Sequence, residues 1–477
     1  MIEFIGGLVV LIAAILVVAG MALSAHWGHK RELGLMQYIA YPIFLTYALT
    51  IFLSGRDLAF PDDVLAIVVN KSSIVSWLGR LSSVFLIFSC GERILRYVLN
   101  SGSEHKRMPG MLLFGFWIFY ASNTLTPALF GMYPYFSHEF LYALLACQAA
   151  LMANTKADVD AMTVVLRNAL LALLVASAAC IVWKHGLVMS TNYHGLVPGL
   201  KLRYAGLTSH ANSLGPLCVL FMLCLWYRPF KNVWLMRGGW MLGGISLLLT
   251  QSKTSWIAFI LSVVVLAWYS RRDEINARIQ DFRRPHLPVL LILMMMFGGA
   301  LLCLIFMFGG GGDKIARFFT TRDGAELMTF MGRDQIWQIA VEEWRKNPVF
   351  GYGLNIFDEA FRNSIGMPFA THAHSQFFQS LSSAGSVGAF GLLFYTLVIA
   401  YFVANTVRAS QGLSLALFIL LICKSISEVP LSLASMSPDL PIHMLQLAVL
   451  VRYYVPTAQQ RREKALARRN MMEGSLS

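Results

Sequence analysis

The stretch TQSKTSWIAFILSVVVLAWYSRRDEINARIQDFRR, Thr250 to Arg284, decides the fold. From Ile257 to Trp268 it carries no charged residue. A bilayer takes about twenty mostly apolar residues per helical span. A basic loop follows at once, with Arg271, Arg272, Arg278, Arg283 and Arg284. Basic clusters so placed mark the cytoplasmic side. Ahead of the run, the polar hairpin Gln251–Thr254 is so short that Lys253 stands near bilayer depth. One stretch therefore supplies a span, a side, and a cation where membranes make cations costly.

The pattern repeats outward from there. Ile5–Leu23, Ile39–Leu53, Leu170–Trp183 and Leu287–Phe308 are further runs with almost no charge. The 477 residues are 57% hydrophobic and 13% charged. A soluble chain carries roughly a quarter charged residues. The first run has no basic residue before it and no small-residue cleavage site after it, so it reads as a retained helix and not a signal peptide. Hydropathy gives about thirteen spans. They centre near residues 13, 46, 85, 120, 145, 172, 217, 243, 261, 298, 393, 419 and 447. The expected fold is an all-α polytopic helix bundle of about 12–14 transmembrane helices, with one large outer loop containing amphipathic helices. The expected divisions are helices over residues 1–308, the loop over 309–375, helices over 376–455 and a basic tail over 456–477.

Alternation tests the sidedness. With the Arg271–Arg284 loop and the tail (Arg461, Arg462, Lys464, Arg468, Arg469) inside, the loops bearing Lys30 and Arg31, Lys106 and Arg107, Lys156, Arg228 and Lys231, and Arg408 also fall inside. A single miscounted helix would break that agreement. The amino terminus then faces out and the carboxyl terminus in. The net charge of +13 is explained by this distribution, and nucleic-acid binding is excluded as a reading. The seven cysteines all lie in hydrophobic runs, with neither disulfide nor zinc spacing.

The outer side keeps the long segments, 184–210 and 309–371, the latter opened by Gly309–Gly312. Within it, DQIWQIAVEEWRKN places Ile336, Trp337, Ala340, Val341 and Trp344 at helical spacing, suiting a helix on the membrane interface. Asn347-Pro348 stops it and Gly351-Tyr352-Gly353 turns the chain. Four polar groups then share the outer leaflet. They are Lys201, Arg203, His210 and Asn212; Gln251, Lys253 and Thr254; Arg333; and His372, His374, Ser375 and Gln376. Singly, each has a plain reading. Arg203 and Lys253 suit phosphate anchors, Arg333 a loop-helix surface, and His374 a satisfied boundary histidine. Together they suit a phosphate-rich substrate. From His374 a helical face runs through Phe378, Leu381, Gly385, Gly388 and Gly391, whose glycines let a neighbour approach. An uncharged imidazole at its head can act as a general base. A metal held by His372 and His374 would need a third ligand such as Asp358 or Glu359, and no spacing fixes one, so no metal is expected.

Those groups also carry a resemblance. His374, Ser375, nine residues, Gly385, two residues and Gly388 match a signature of the bacterial O-antigen ligase and polymerase family. Gly332-Arg333, Trp337 and Pro348-x-x-Gly351-x-Gly353 match its outer-loop pattern. Arg203, Gly206, His210 and Asn212 match an earlier motif, and Ser252-Lys253 matches a hairpin in which Arg is commoner than Lys. Lys gives up bidentate phosphate contact there. The resemblance covers residues 200–395.

It implies a metal-independent inverting glycosyltransferase with no cofactor. The donor would be an undecaprenyl-pyrophosphate-linked glycan and the acceptor a second glycan or lipid. The site would face the periplasm across the bacterial inner membrane. His374 would be the base, with Arg203 and Arg333 stabilising the leaving diphosphate. Lys253, His210, Asn212, His372, Ser375 and Gln376 would line the substrate, with Trp337 and Tyr352 stacking on sugars or simply packing. A polymerase of O-antigen or exopolysaccharide repeat units is the leading reading, on the Thr250–Thr254 hairpin and the His210-x-Asn212 motif. A chain-length regulator protein is a candidate partner. The alternatives are a ligase to lipid A core or protein and, outside the class, a polysaccharide transporter. A transporter would place its polar sites at mid-bilayer between related halves, which this sequence does not do.

Overall fold

The computed structural model describes residues 34–58, 72–99, 108–153, 155–191, 193, 201–280 (only the backbone over 273–280), 296, 333–368 and 370–454. The expected spans near 13 and 298, the glycines 309–312, Arg283, Arg284 and the tail lie outside the described residues.

Helix α1 (Ala40–Ser54) is entered through a 3-10 turn, Met36–Ile39. It is followed by α2 (Ser73–Leu99), α3 (Gly110–Phe130), α4 (Phe140–Leu151) and α5 (Lys156–Trp183). A ribbon of β1 (Met189–Thr191) and β2 (Leu202–Tyr204) leads to α6 (Ala211–Tyr227), α7 (Val233–Thr250) and α8 (Lys253–Gln280). Then come α9 (Arg333–Lys346), α10 (Glu359–Ser364), α11 (Gln376–Thr406), α12 (Leu413–Ser427) and α13 over 440–454. Among the described residues, seven helices are long and apolar enough to cross a membrane. Eleven of the expected centres (all except 13 and 298) fall inside α1–α8 and α11–α13. The fold is a polytopic all-α membrane bundle.

The helices alternate in direction. Tyr227 at the end of α6 meets Tyr453 at the end of α13. Arg228 pairs with Asp160 at the start of α5. Arg93 near the end of α2 reaches Met152 after α4 and Asp158. One end of the bundle thus holds Lys156, Arg228 and the α11–α12 turn with Arg408. The opposite end gathers the ends of α1, α3, α5, α7 and α12 with the starts of α6, α8 and α11. Helices α6 and α13 are apolar on nearly every side and buried on nearly every side, as such helices must be.

Helix α11 is broken, and the break explains two glycine motifs at once. Gly385 has φ 66° and ψ −160°, so the helical hydrogen bonds stop there. Freed backbone groups at membrane depth need partners. The loop after α9 supplies them. Tyr352 and Gly353 N–H donate to the Ser382 and Ser383 carbonyls at 2.8 and 2.9 Å. Ser386 and Val387 N–H donate to the Pro348 and Val349 carbonyls at 2.8 and 3.2 Å. A Cβ on Gly385 would stand 2.3 Å from the Val349 oxygen, and one on Gly351 2.6 Å from Gly385 N. The outer loop is therefore threaded into the helix that follows the histidines. On the other side of α11, Gly388 and Gly391 receive a π-helical turn of α3, Ala121–Leu125, where Asn123 donates to the Gly388 carbonyl at 2.9 Å.

Helix α9 is amphipathic as expected, but its apolar face meets protein. Ile336 joins Ile356, Phe357, Phe361, Ala370 and Ala373 in a small second core over the start of α11. The other departure from expectation is the β-ribbon, which pairs Ser190 with Arg203 and sets the arginine's position.

Candidate active site

The polar residues singled out in the sequence meet at one end of the bundle, around a residue that was not singled out. Glu428 ends α12 in an extended conformation, its N–H donating to Lys424 O at 2.8 Å, with Pro430 blocking further helix. Its Oε2 lies 3.2 Å from His372 Nε2 and 3.5 Å from His374 Nδ1. Its Oε1 accepts from Asn212 Nδ2 at 3.0 Å and stands 3.9 Å from Arg333 Nη2. Asn212 Oδ1 accepts from Arg203 Nη2 at 2.9 Å. Arg203 also donates to the Thr250 carbonyl at 3.3 Å and lies over the Tyr193 ring at 4.5 Å. Burial lowers the Arg203 pKa, Tyr193 opposes it, and Arg333 is close enough to lower it further against the pull of Glu428. Burial also lowers Arg333, with Glu428 opposing. Both stay cationic, since guanidinium starts so high.

The supporting residues explain this geometry. Arg56 follows α1 and is 2% exposed. Its guanidinium donates to the carbonyls of Leu187, Gly206, Thr208 and Ser209 at 2.7–3.0 Å, which shapes the loop between Arg203 and Asn212. Gly206 turns that loop at φ 55°. His210 caps α6, its Nδ1 accepting from Asn212 N–H at 3.2 Å. Gln251 Nε2 donates to Leu202 O at 2.6 Å, and Thr254 meets Ser427 at 3.1 Å. The Thr250–Thr254 hairpin thus ties β2 to the turn bearing Glu428. Lys253 opens α8 beside it, half-buried, with no ion pair among the described residues.

Several expectations change. His374 is not in the first turn of α11: Ser375 is its N-cap and His374 sits before it at φ 48°. Ser375 and Gln376 are buried, and Gln376 Oε1 accepts from Leu431 N–H at 2.9 Å, clamping the segment after Glu428. Trp337 donates to the Ala373 carbonyl at 3.0 Å and stacks on Phe378. Tyr352 packs between Tyr133 and Phe361. Their aromatic faces serve packing. Asn212 spends both ends of its amide inside the protein. Asp358, weighed as a third metal ligand, caps α10 by accepting from Phe361 N–H at 2.8 Å. Glu428 is the carboxylate that faces both histidines, with ligand-type atoms of all three within 4.8 Å of one another. A divalent cation there would join Arg203, Arg333 and Lys424 around a single free carboxylate, since Asp439 is paired with Lys424. That crowding of positive charge opposes a metal.

Burial, then His374, pushes the His372 pKa down to about 4, outweighing the pull of Glu428. Burial raises Glu428, but the close approach of His374, with His372 and Lys424 beside it, prevails and holds it below the usual carboxylate range. Beside the site, a largely apolar cleft of about 340 Å³ opens at Trp337, Ser375 and Gln376 and runs between α11 and α12 to Ile399 and Phe418.

Residues 238–393 match the family model described as O-Antigen ligase. Over that segment the chain is similar to the O-antigen ligase family. The match includes Lys253, Arg333, Trp337, Tyr352 and the His372–Gln376 turn; Arg203, His210, Asn212 and Glu428 lie outside it and enter the site through the fold. No curated protein matches the chain.

Proposed function

We propose that this protein is a metal-independent inverting glycosyltransferase of the periplasmic face of the inner membrane. It takes a glycan from an undecaprenyl-pyrophosphate carrier and joins it to an acceptor hydroxyl. The observation that carries this reading is the meeting of Arg203, Arg333 and His374 around Glu428 at one end of the bundle. Two guanidiniums suit a diphosphate whose charge grows as the bond breaks. The attacking oxygen displaces the diphosphate at the anomeric carbon and its proton passes to His374. Diphosphate leaves readily, so no strong acid is required. A retaining route would need a carboxylate nucleophile at the sugar, and Glu428 is instead turned toward the imidazoles. The apolar cleft beside Ser375 suits the carrier's isoprenoid chain. The positive-inside rule supports the periplasmic assignment, because Lys156, Arg228, Lys231 and Arg408 stand at the opposite end.

Within this chemistry we read the protein as a polymerase of O-antigen or exopolysaccharide repeat units, on the Thr250–Thr254 hairpin and the His210-x-Asn212 motif. The family description supports the second reading, a ligase to lipid A core or protein, equally well. Chain-length analysis of surface polysaccharide in a deletion strain separates them. Loss of a polymerase leaves single repeat units attached. Loss of a ligase leaves long chains on the carrier and none on the core.

A further inference from the structure

The site contains two imidazoles, and their hydrogen bonds distinguish them. His372 Nδ1 accepts from His374 N–H at 3.1 Å, so it carries no proton. The ring proton is then on Nε2, which faces Glu428 Oε2 at 3.2 Å. Both nitrogens of His372 are thus turned to groups of the protein. His374 turns Nδ1 toward the same oxygen at 3.5 Å. With its proton there, Nε2 keeps a lone pair. Contacts of this length at catalytic histidines commonly tighten as the reaction proceeds.

The other carboxylate oxygen is held as firmly. Asn212 must point Nδ2 at Glu428 and Oδ1 at Arg203, because a carboxylate only accepts and a guanidinium only donates. Hydrogen bonds therefore run from Arg203 through Asn212 to Glu428, whose other oxygen stands 3.5 Å from His374 Nδ1, a close approach that is not yet a hydrogen bond. We propose that Glu428 is the positioning residue that makes His374, and not His372, the general base, and that Asn212 couples it to the diphosphate-binding Arg203. This rests on the reading of His374 as base.

In the step, the acceptor O–H bond breaks and its oxygen bonds to the anomeric carbon. The bond from that carbon to the diphosphate oxygen breaks, its electron pair leaving with the diphosphate. The proton goes to His374 Nε2. Glu428 stays ionised and offsets the imidazolium charge, the logic of a carboxylate behind a catalytic histidine. The remaining groups around the pair are His210 and Arg203 from the α6 side, Arg333 from α9, His372 from the same turn, and Lys424 from α12, itself bound to Asp439.

The experiment is steady-state glycan transfer by the full chain in vesicles, comparing Glu428→Gln and Glu428→Asp with the unaltered protein. Glu428→Gln is expected to lower kcat by roughly a hundredfold or more with donor KM nearly unchanged. Glu428→Asp is expected to recover part of the loss. A purely structural residue would not give that split. Unchanged kcat in Glu428→Gln, or a raised donor KM at full kcat, overturns the proposal, while loss of transfer in His374→Ala would still support the base. Full activity in His374→Ala removes the underlying reading instead. If Glu428→Gln does not fold in detergent, Asn212→Asp serves. It keeps the oxygen facing Arg203 and removes the donor to Glu428, so kcat is again expected to fall, and an unchanged kcat overturns the coupling.

Discussion

Two carboxylates anchor opposite ends of this bundle, and they are treated differently. Asp158, at the Lys156 end, is fully buried and receives Gln37, Arg93 and both the N–H and hydroxyl of Thr155, at 2.7–3.3 Å. All of its neighbours belong to the fold and none retains a free acid–base atom toward an opening. Glu428 also gathers side chains from three segments, but His372 and His374 beside it keep 32% and 26% of their side-chain surface open. The His374 imidazole there remains uncommitted. A polar cluster that consumes its own members holds helices together. One that leaves a lone pair at an opening can do chemistry.

The sharpest way to break this comparison is Asp158→Ala. Stranding Arg93 in a buried pair is expected to cost about 3–5 kcal/mol of stability, read as a lowered unfolding midpoint in detergent. Glu428→Gln should move that midpoint much less. Equal losses would erase the distinction between the two ends. Next is the junction that presents the histidines. Gly385→Ala carries about 1–3 kcal/mol of backbone strain before the overlap with Val349 is counted. Gly79→Ala, where no atom lies within 4 Å, is the control and should not destabilise. Arg203→Ala or Arg333→Ala should weaken donor binding tenfold or more, about 1.4 kcal/mol. Unchanged affinity in both would leave the cations without that role. The last effect concerns pH. His372 titrates at about 4 in the fold and at 6.5 ordinarily. Between those values only the unfolded chain takes up the proton, so stability falls as pH drops from 6.5 to 4. Replacing His372 by Gln should flatten that slope, and an unaltered slope would show the imidazole is not held uncharged.

Much of this was legible in the sequence because bilayers impose a simple code. Apolar runs gave the described spans, and motif order brought Arg203, Arg333 and His374 to one end. Glu428 was not legible. It lies beyond the family motifs, and only the end of α12 signals it, an acid after a long apolar run and before Pro430. Arg56 was hidden in the same way, just past the end of α1. The break at Gly385 is nonlocal, since its cause is a loop whose carbonyls and N–H groups come from Pro348–Gly353. Trp337 and Tyr352 were open to two readings in the sequence, sugar stacking or packing, and Phe378 and Tyr133 lie against them in the fold.

The most direct measurement is sugar transfer from a polyprenyl-diphosphate donor by His374→Ala in reconstituted vesicles, with donor binding measured alongside. The expected result is transfer reduced by at least about a hundredfold with binding retained. Turnover at the unaltered rate would contradict a base at His374 and with it the chemistry assigned to this end of the bundle.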